Sequence, residues 1–119
     1  MTSIGLSGSR LATSGLAVVC SQDKYTVEFS LHGELNLGNA QHLEHAVTRT
    51  MRARLERIVI QIAPLAFADL VGVRALLAIS ERCGADQTEL AFRGIASPQV
   101  MKILALVGAD KRLGLASAD

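Results

Sequence analysis

His42 and His45 stand three residues apart, a spacing that puts two imidazoles on one helix face within reach of a single metal ion. No carboxylate or Cys is placed as a clear third ligand. The pair also falls on the polar side of the segment that carries it, so two solvated histidines are the favoured reading. His32 follows an alternating segment beside Gly33 and Glu34 and reads as a loop residue. Glu34 could act as a general base only beside an acidic or nucleophilic partner, and none is identifiable. Cys20 and Cys83 read as small buried thiols, since a redox pair needs a spatial adjacency that sequence does not show. Nucleophile elbow, Walker loop, dinucleotide fingerprint and zinc spacing are all absent. No set of acid, base, metal and nucleophile can be assembled, which argues against an enzyme and for no cofactor or metal site.

The stretch with the most organisation is Ile58 to Leu77, IVIQIAPLAFADLVGVRALL. Ile58, Val59, Ile60 and Ile62 form an apolar, β-branched run of the kind that is buried on both faces of a sheet. Pro64 breaks it. Val73, Leu76 and Leu77 then have helical spacing, and Asp69 stands where an N-cap accepts the free N–H groups of the helix. Strand, loop and helix N-terminus is the place where open α/β sheets gather ligands and partners. Such a terminus can also hold an anion. Leu70 and Val71 precede the regular helix and are expected to be at least partly exposed; Val73 is expected in the core.

The elements that must position this stretch can be read from periodicity. Gly15 to Ser21 reads as a first strand, and Tyr25 to Leu31 alternates as a strand with one solvated face, the two forming an antiparallel hairpin. Ala40, Leu43, Val47, Met51 and Leu55 predict a helix from Asn39 to about Leu55. A second helix runs from Leu70 to about Arg82, with Gly84 suited to a left-handed C-cap. Glu89 to Phe92 is a further strand. Ser97 and Pro98 start a third helix as N-cap and first residue, and Gly108 stops it. Strands alternating with helices predict right-handed crossovers and a mixed, mostly parallel sheet of four or five strands with three main helices. Residues 1–14, rich in Ser, Gly and Thr, read as a flexible arm, and 15–119 as one domain.

At 119 residues the chain is long enough for one real core and too short for two. Half of it is hydrophobic but only 3% is aromatic, so the core must come from Leu, Val, Ile and Ala. A net charge of +1 suggests neither nucleic acid nor an anionic membrane as partner. The apolar runs fall far below the ~18 residues that span a bilayer, and nothing at the start resembles a signal peptide, so the cytoplasm is the expected compartment.

Phe67, Ala68, Asp69, Leu70, Val71 and Gly72 resemble the phosphorylation loop of the STAS domain family, anti-sigma-factor antagonist type. That loop usually carries an apolar residue and Asp, then two hydroxyl residues, then Gly. Gly33-Glu34-Leu35-Asn36 is similar to the family's Gly-x-Leu-Asp, with Asn36 for Asp. Leu90 to Val100, and Ile103 to Leu106 with Gly108, resemble its last main strand and last helix. The resemblance covers roughly Gly15 to Leu115. It implies a STAS-like fold and an interaction module that binds an anti-sigma factor and so regulates transcription. It also implies that the hydroxyl phosphorylated by the anti-sigma kinase is replaced by Val71, with Leu70 beside it, so that control by phosphate at this site is lost. Partner contacts are then expected from Asp69, Leu70, Val71, Gly72 and Arg74, with Gly33, Glu34 and Asn36 beside them. A homodimer is left open. The alternative is a soluble STAS subunit that binds a small ligand or docks on a transporter ATPase.

Overall fold

The computed structural model describes residues 9–13, 15–51 and 55–115. Six strands form one sheet: β1 Ser9–Thr13, β2 Leu16–Gln22, β3 Thr26–Leu35, β4 Arg57–Gln61, β5 Leu65–Ala68 and β6 Glu89–Arg93. The helices are α1 Ala40–Thr48, α2 Leu70–Ala85, α3 Pro98–Leu106 and the short α4 Ala109–Arg112. The sheet order is β1-β2-β3-β4-β6, with β5 also on β3. β1, β2 and β3 are antiparallel neighbours, and β4, β5 and β6 join in parallel. This is the mixed, mostly parallel α/β sheet expected from the alternation of strands and helices.

Four elements depart from the sequence reading, and the sheet has six strands where four or five were expected. The segment after Pro64 was expected to be loop; instead Leu65–Ala68 is a strand. β3 is long enough to serve two strands in turn. Its first half, Thr26 to Ser30, pairs with β4, and Gly33, Glu34 and Leu35 pair with β5. Within the β5 ladder the register shifts between Gly33, opposite Leu65, and Glu34, opposite Phe67. The helix expected to reach Leu55 ends at Thr48. The Thr48 and Thr50 hydroxyls donate to the carbonyls of His45 and Val47 at 3.3 and 2.7 Å, and such side-chain bonds compete with the helix. Residues 52–54 of the expected helix lie outside the described residues. The C-cap of α2 is not Gly84, which lies within the helix. Gln87 takes the left-handed conformation at φ 59°, Thr88 N–H donates to the Cys83 carbonyl and Gln87 N–H to the Gly84 carbonyl. That pair of bonds is a Schellman ending, three residues later than expected.

Part of the segment read as an arm, Ser9–Thr13, is the edge strand β1; residues 1–8 and 14 lie outside the described residues. From β3 the sheet steps in one direction, through β4 to β6. Right-handed crossovers in a constant direction place their helices on one face, and α1 packs on α2 there. That face holds the core, with Phe29, Leu31, Leu35, Leu43, Ile58, Ile60, Ile62, Leu76, Ile79 and Leu104 all buried. Each such aliphatic or aromatic side chain contributes about 1.5–3 kcal/mol by leaving water. Val59, on the opposite face, is buried too, in keeping with a central strand apolar on both sides.

Candidate functional site

β3 and β5 end side by side, Leu35 opposite Ala68, and the chain leaving each strand turns into the start of a helix. The first of these loops is held by its own polar side chains. Asn36 Oδ1 accepts Gly38 N–H at 2.9 Å. Asn39 is fully buried; its Oδ1 accepts Asn36 N–H and its Nδ2 donates to the Glu34 carbonyl, each at 2.9 Å. A buried amide with these partners fixes the loop conformation, since leaving them unmade would cost about 1–3 kcal/mol.

The second loop is built on Asp69. Its Oδ1 accepts Gly72 N–H at 2.8 Å, the N-cap bond expected from sequence. Its Oδ2 accepts Leu37 N–H at 3.0 Å, so one carboxylate ties the two loops together. The negative charge favoured at a helix N-terminus is thus already supplied from within. Asp69 N–H in turn donates to the Leu35 carbonyl at 3.1 Å. Gly72 allows this approach: a Cβ there would stand 2.5 Å from the Leu35 carbonyl oxygen and 2.8 Å from Leu35 Cγ. Gly33 is likewise a backbone requirement, at φ +109° with a Cβ position 2.3 Å from the Gly15 carbonyl oxygen.

The far edge of β5 is finished by α3. Gln99 donates from Nε2 to the Ala68 carbonyl at 2.9 Å and accepts Ala68 N–H on Oε1 at 3.0 Å. Its amide pairs with Ala68 as a neighbouring strand would. Ser97, the N-cap of α3, donates its hydroxyl to the Ala66 carbonyl at 3.0 Å.

On this frame the first turn of α2 turns Gly72 and Val73 inward and leaves Leu70, Val71 and Arg74 outward. Leu70 is 43% exposed and Val71 37%; Phe67 is 38% exposed and Leu37 74%. The result is an apolar surface around a rigid double loop, with Arg74 one turn along α2. Glu34 is exposed and Asn36 half-buried at its side. All the residues expected to contact a partner therefore lie on the two loops and the strand and helix ends that they join. Gly33 and Gly72 shape the backbone there, and Asp69 caps and ties. Leu37 and Asn39 lie in the segment from Gly33 to Asn39 expected beside the interface, but their hydrogen bonds to Asp69 and Glu34 were not foreseen, nor was the part of Gln99.

The other candidates for chemistry lie elsewhere. His42 and His45 are exposed on α1. Among the described residues no three His, Cys, Asp or Glu side chains cluster as a metal site. Burial pushes the Cys83 thiol up to about 11, with the Asp86 charge adding and Arg82 opposing, so it is a poor nucleophile. No described helix is long and apolar enough to cross a membrane.

The same architecture is found in solved structures. An anti-sigma factor antagonist from Mycobacterium paratuberculosis is 23% identical, with a TM-score of 0.67 over 82% of each chain. The anti-sigma factor antagonist SpoIIAA in its unphosphorylated form is 18% identical, with a TM-score of 0.67 over 84% of this chain and 99% of that one. The murine anion transporter Slc26a9 is 15% identical, with a TM-score of 0.60 over 71% of this chain but only 14% of the transporter. At these identities the likeness is one of fold. No curated protein sequence matches. The STAS domain model matches residues 17–118, from the second residue of β2 through β6 and every described helix, and the chain belongs to the STAS domain family.

Proposed function

We propose that this protein is an anti-sigma-factor antagonist: a non-enzymatic module that binds an anti-sigma factor and thereby regulates transcription. The observation that carries the reading is the exposed apolar surface of Leu37, Phe67, Leu70 and Val71 on a double loop held rigid by Asp69. A preformed apolar surface binds with a smaller ordering cost than a mobile one. Val71 has nearly the shape of Thr with the hydroxyl replaced by methyl. It would keep the surface in the form of an unphosphorylated antagonist. Phosphate would add about two negative charges there and disfavour an apolar interface. Loss of the acceptor thus removes an off-switch and leaves binding in place.

The test is affinity capture from extract of the protein's own cells, followed by affinity measurement with the captured partner. Val71→Asp should weaken that complex by more than ~1.4 kcal/mol, a factor of about ten. Lys24→Ala, in the turn between β2 and β3 at the other end of the sheet, should change it little. Unchanged affinity in a folded Val71→Asp protein would remove this surface from the interface. Capture of a transporter subunit with that result would favour the second reading, a STAS subunit that docks on a transporter ATPase or binds a small ligand. The fold shared with part of Slc26a9 keeps that reading in view.

A further inference from the structure

The strand β6 closes one side of the sheet, and among the described residues no strand lies beyond it. Its pairing with β4 fixes which main-chain groups remain free. Glu89 N–H donates to the Glu56 carbonyl at 2.9 Å, and the Arg93 carbonyl accepts Ile62 N–H at 3.0 Å. In a parallel pair both main-chain groups of a residue point to the same neighbour, and alternate residues point the other way. Glu89, Ala91 and Arg93 therefore face β4, while the N–H and carbonyl groups of Leu90 and Phe92 face outward. Leu90 and Phe92 pack against the core but stay only partly buried, whereas Ile58, Val59 and Ile60 on β4 are buried. β6 has neither Pro, nor Lys, nor a bulge, and its only charges, Glu89 and Arg93, stand at its two ends.

We propose that β6 is the contact strand of a homodimer, pairing antiparallel with β6 of a second copy about a two-fold axis at Ala91. The sequence Glu89-Leu90-Ala91-Phe92-Arg93 is self-complementary in that register. Turned end for end, Glu89 stands opposite the partner's Arg93, and Leu90 stands opposite the partner's Phe92. Leu90 and Phe92 are the residues with outward main-chain groups, so each exchanges two hydrogen bonds with its opposite number. The same surface is used by both copies, as a two-fold axis requires. The charges also select against the alternatives. A parallel pairing sets Glu89 beside Glu89 and Arg93 beside Arg93, and a slip by two residues breaks both ion pairs. A contact of one five-residue strand is smaller than the ~1,200 Å² of a standard stable interface, so the dimer is a weak, concentration-dependent one. This goes beyond the proposed function and rests on a different strand from the double loop.

Sedimentation equilibrium of the full chain over a wide concentration range tests it. Reversible dimerisation is expected, and the Leu90 and Phe92 amides should gain protection from hydrogen exchange as the concentration rises. Arg93→Glu leaves the Arg57–Glu89 pair within the chain intact and should weaken the dimer at least about tenfold. Reversing Glu89→Arg and Arg93→Glu together, with Arg57→Glu to keep the ion pair within the chain, restores complementarity and should restore the dimer. A monomer at every concentration overturns the proposal. So does a folded Arg93→Glu protein that dimerises like the parent, or a folded charge-reversed triple variant that fails to recover.

Discussion

The Leu37 amide donates to Asp69 Oδ2 at 3.0 Å across 32 residues of sequence. The other oxygen of that carboxylate caps α2 through Gly72 N–H. One side chain thus sets both the start of a helix and the position of the loop beside it. Asp69→Ala should lose the cap, ~1 kcal/mol, and the loop tie, a further ~1 kcal/mol or more. Urea unfolding should show the combined loss, and hydrogen exchange should speed up at the Leu37 and Gly72 amides in the same variant. Asp69→Asn, which keeps one accepting oxygen, should fall between it and the parent.

Two glycines of α2 should respond with opposite signs. Gly72→Ala would drive a Cβ to 2.5 Å from the Leu35 carbonyl oxygen, backbone that cannot yield cheaply, and should destabilise by about 1–3 kcal/mol. Gly84 is helical and has open space around its Cβ position. Gly84→Ala should stabilise by about 0.5–1 kcal/mol. Gln87→Gly, relieving a left-handed non-glycine residue, should also stabilise. Thermal or urea denaturation of the three variants checks all of these signs.

With neither Leu70 nor Val71 carrying a hydroxyl, incubation with candidate anti-sigma kinases and ATP should leave the 67–74 segment free of phosphate by mass spectrometry. Stoichiometric phosphate on Thr50, Ser80 or Ser97 would show control relocated. Val71→Thr should fold like the parent, because the side chain keeps its shape on an exposed turn, and should become the only acceptor in that segment.

Cys83 should be slow to alkylate in the folded protein near neutral pH, and slower than the half-buried Cys20. Its thiol ordinarily titrates at 9.0 and is held up at about 11 by burial, with the Asp86 charge adding and Arg82 opposing. The folded value lies above the unfolded one, so the neutral thiol contributes stability that is fully present below pH 9 and is lost as pH rises toward 11. Urea midpoints measured across that window should fall, and Cys83→Ala should remove this share of the decline.

Local signals in the sequence determined much of this molecule. The β-branched run at Ile58 to Ile62, the cap at Asp69, the Ser97-Pro98 start and the Gly108 stop each act through neighbours a few residues away, and each is seen in the fold. The exposure of Leu70 and Val71 and the burial of Val73 follow from where a capped helix must turn its first residues. Tertiary structure decided the rest, because its partners are distant in the chain. Leu65–Ala68 has too few residues to show a period, and it is a strand because Gly33, Glu34 and Leu35 offer it a ladder. Gln99 closes the edge of β5 from 31 residues away, which no spacing within α3 could reveal. Gly72 reads as an ordinary residue of the family's loop until the Leu35 carbonyl is placed against it. The left-handed residue that ends α2 is Gln87 and not Gly84, because the helix is closed there by Thr88 N–H on the Cys83 carbonyl and Gln87 N–H on the Gly84 carbonyl.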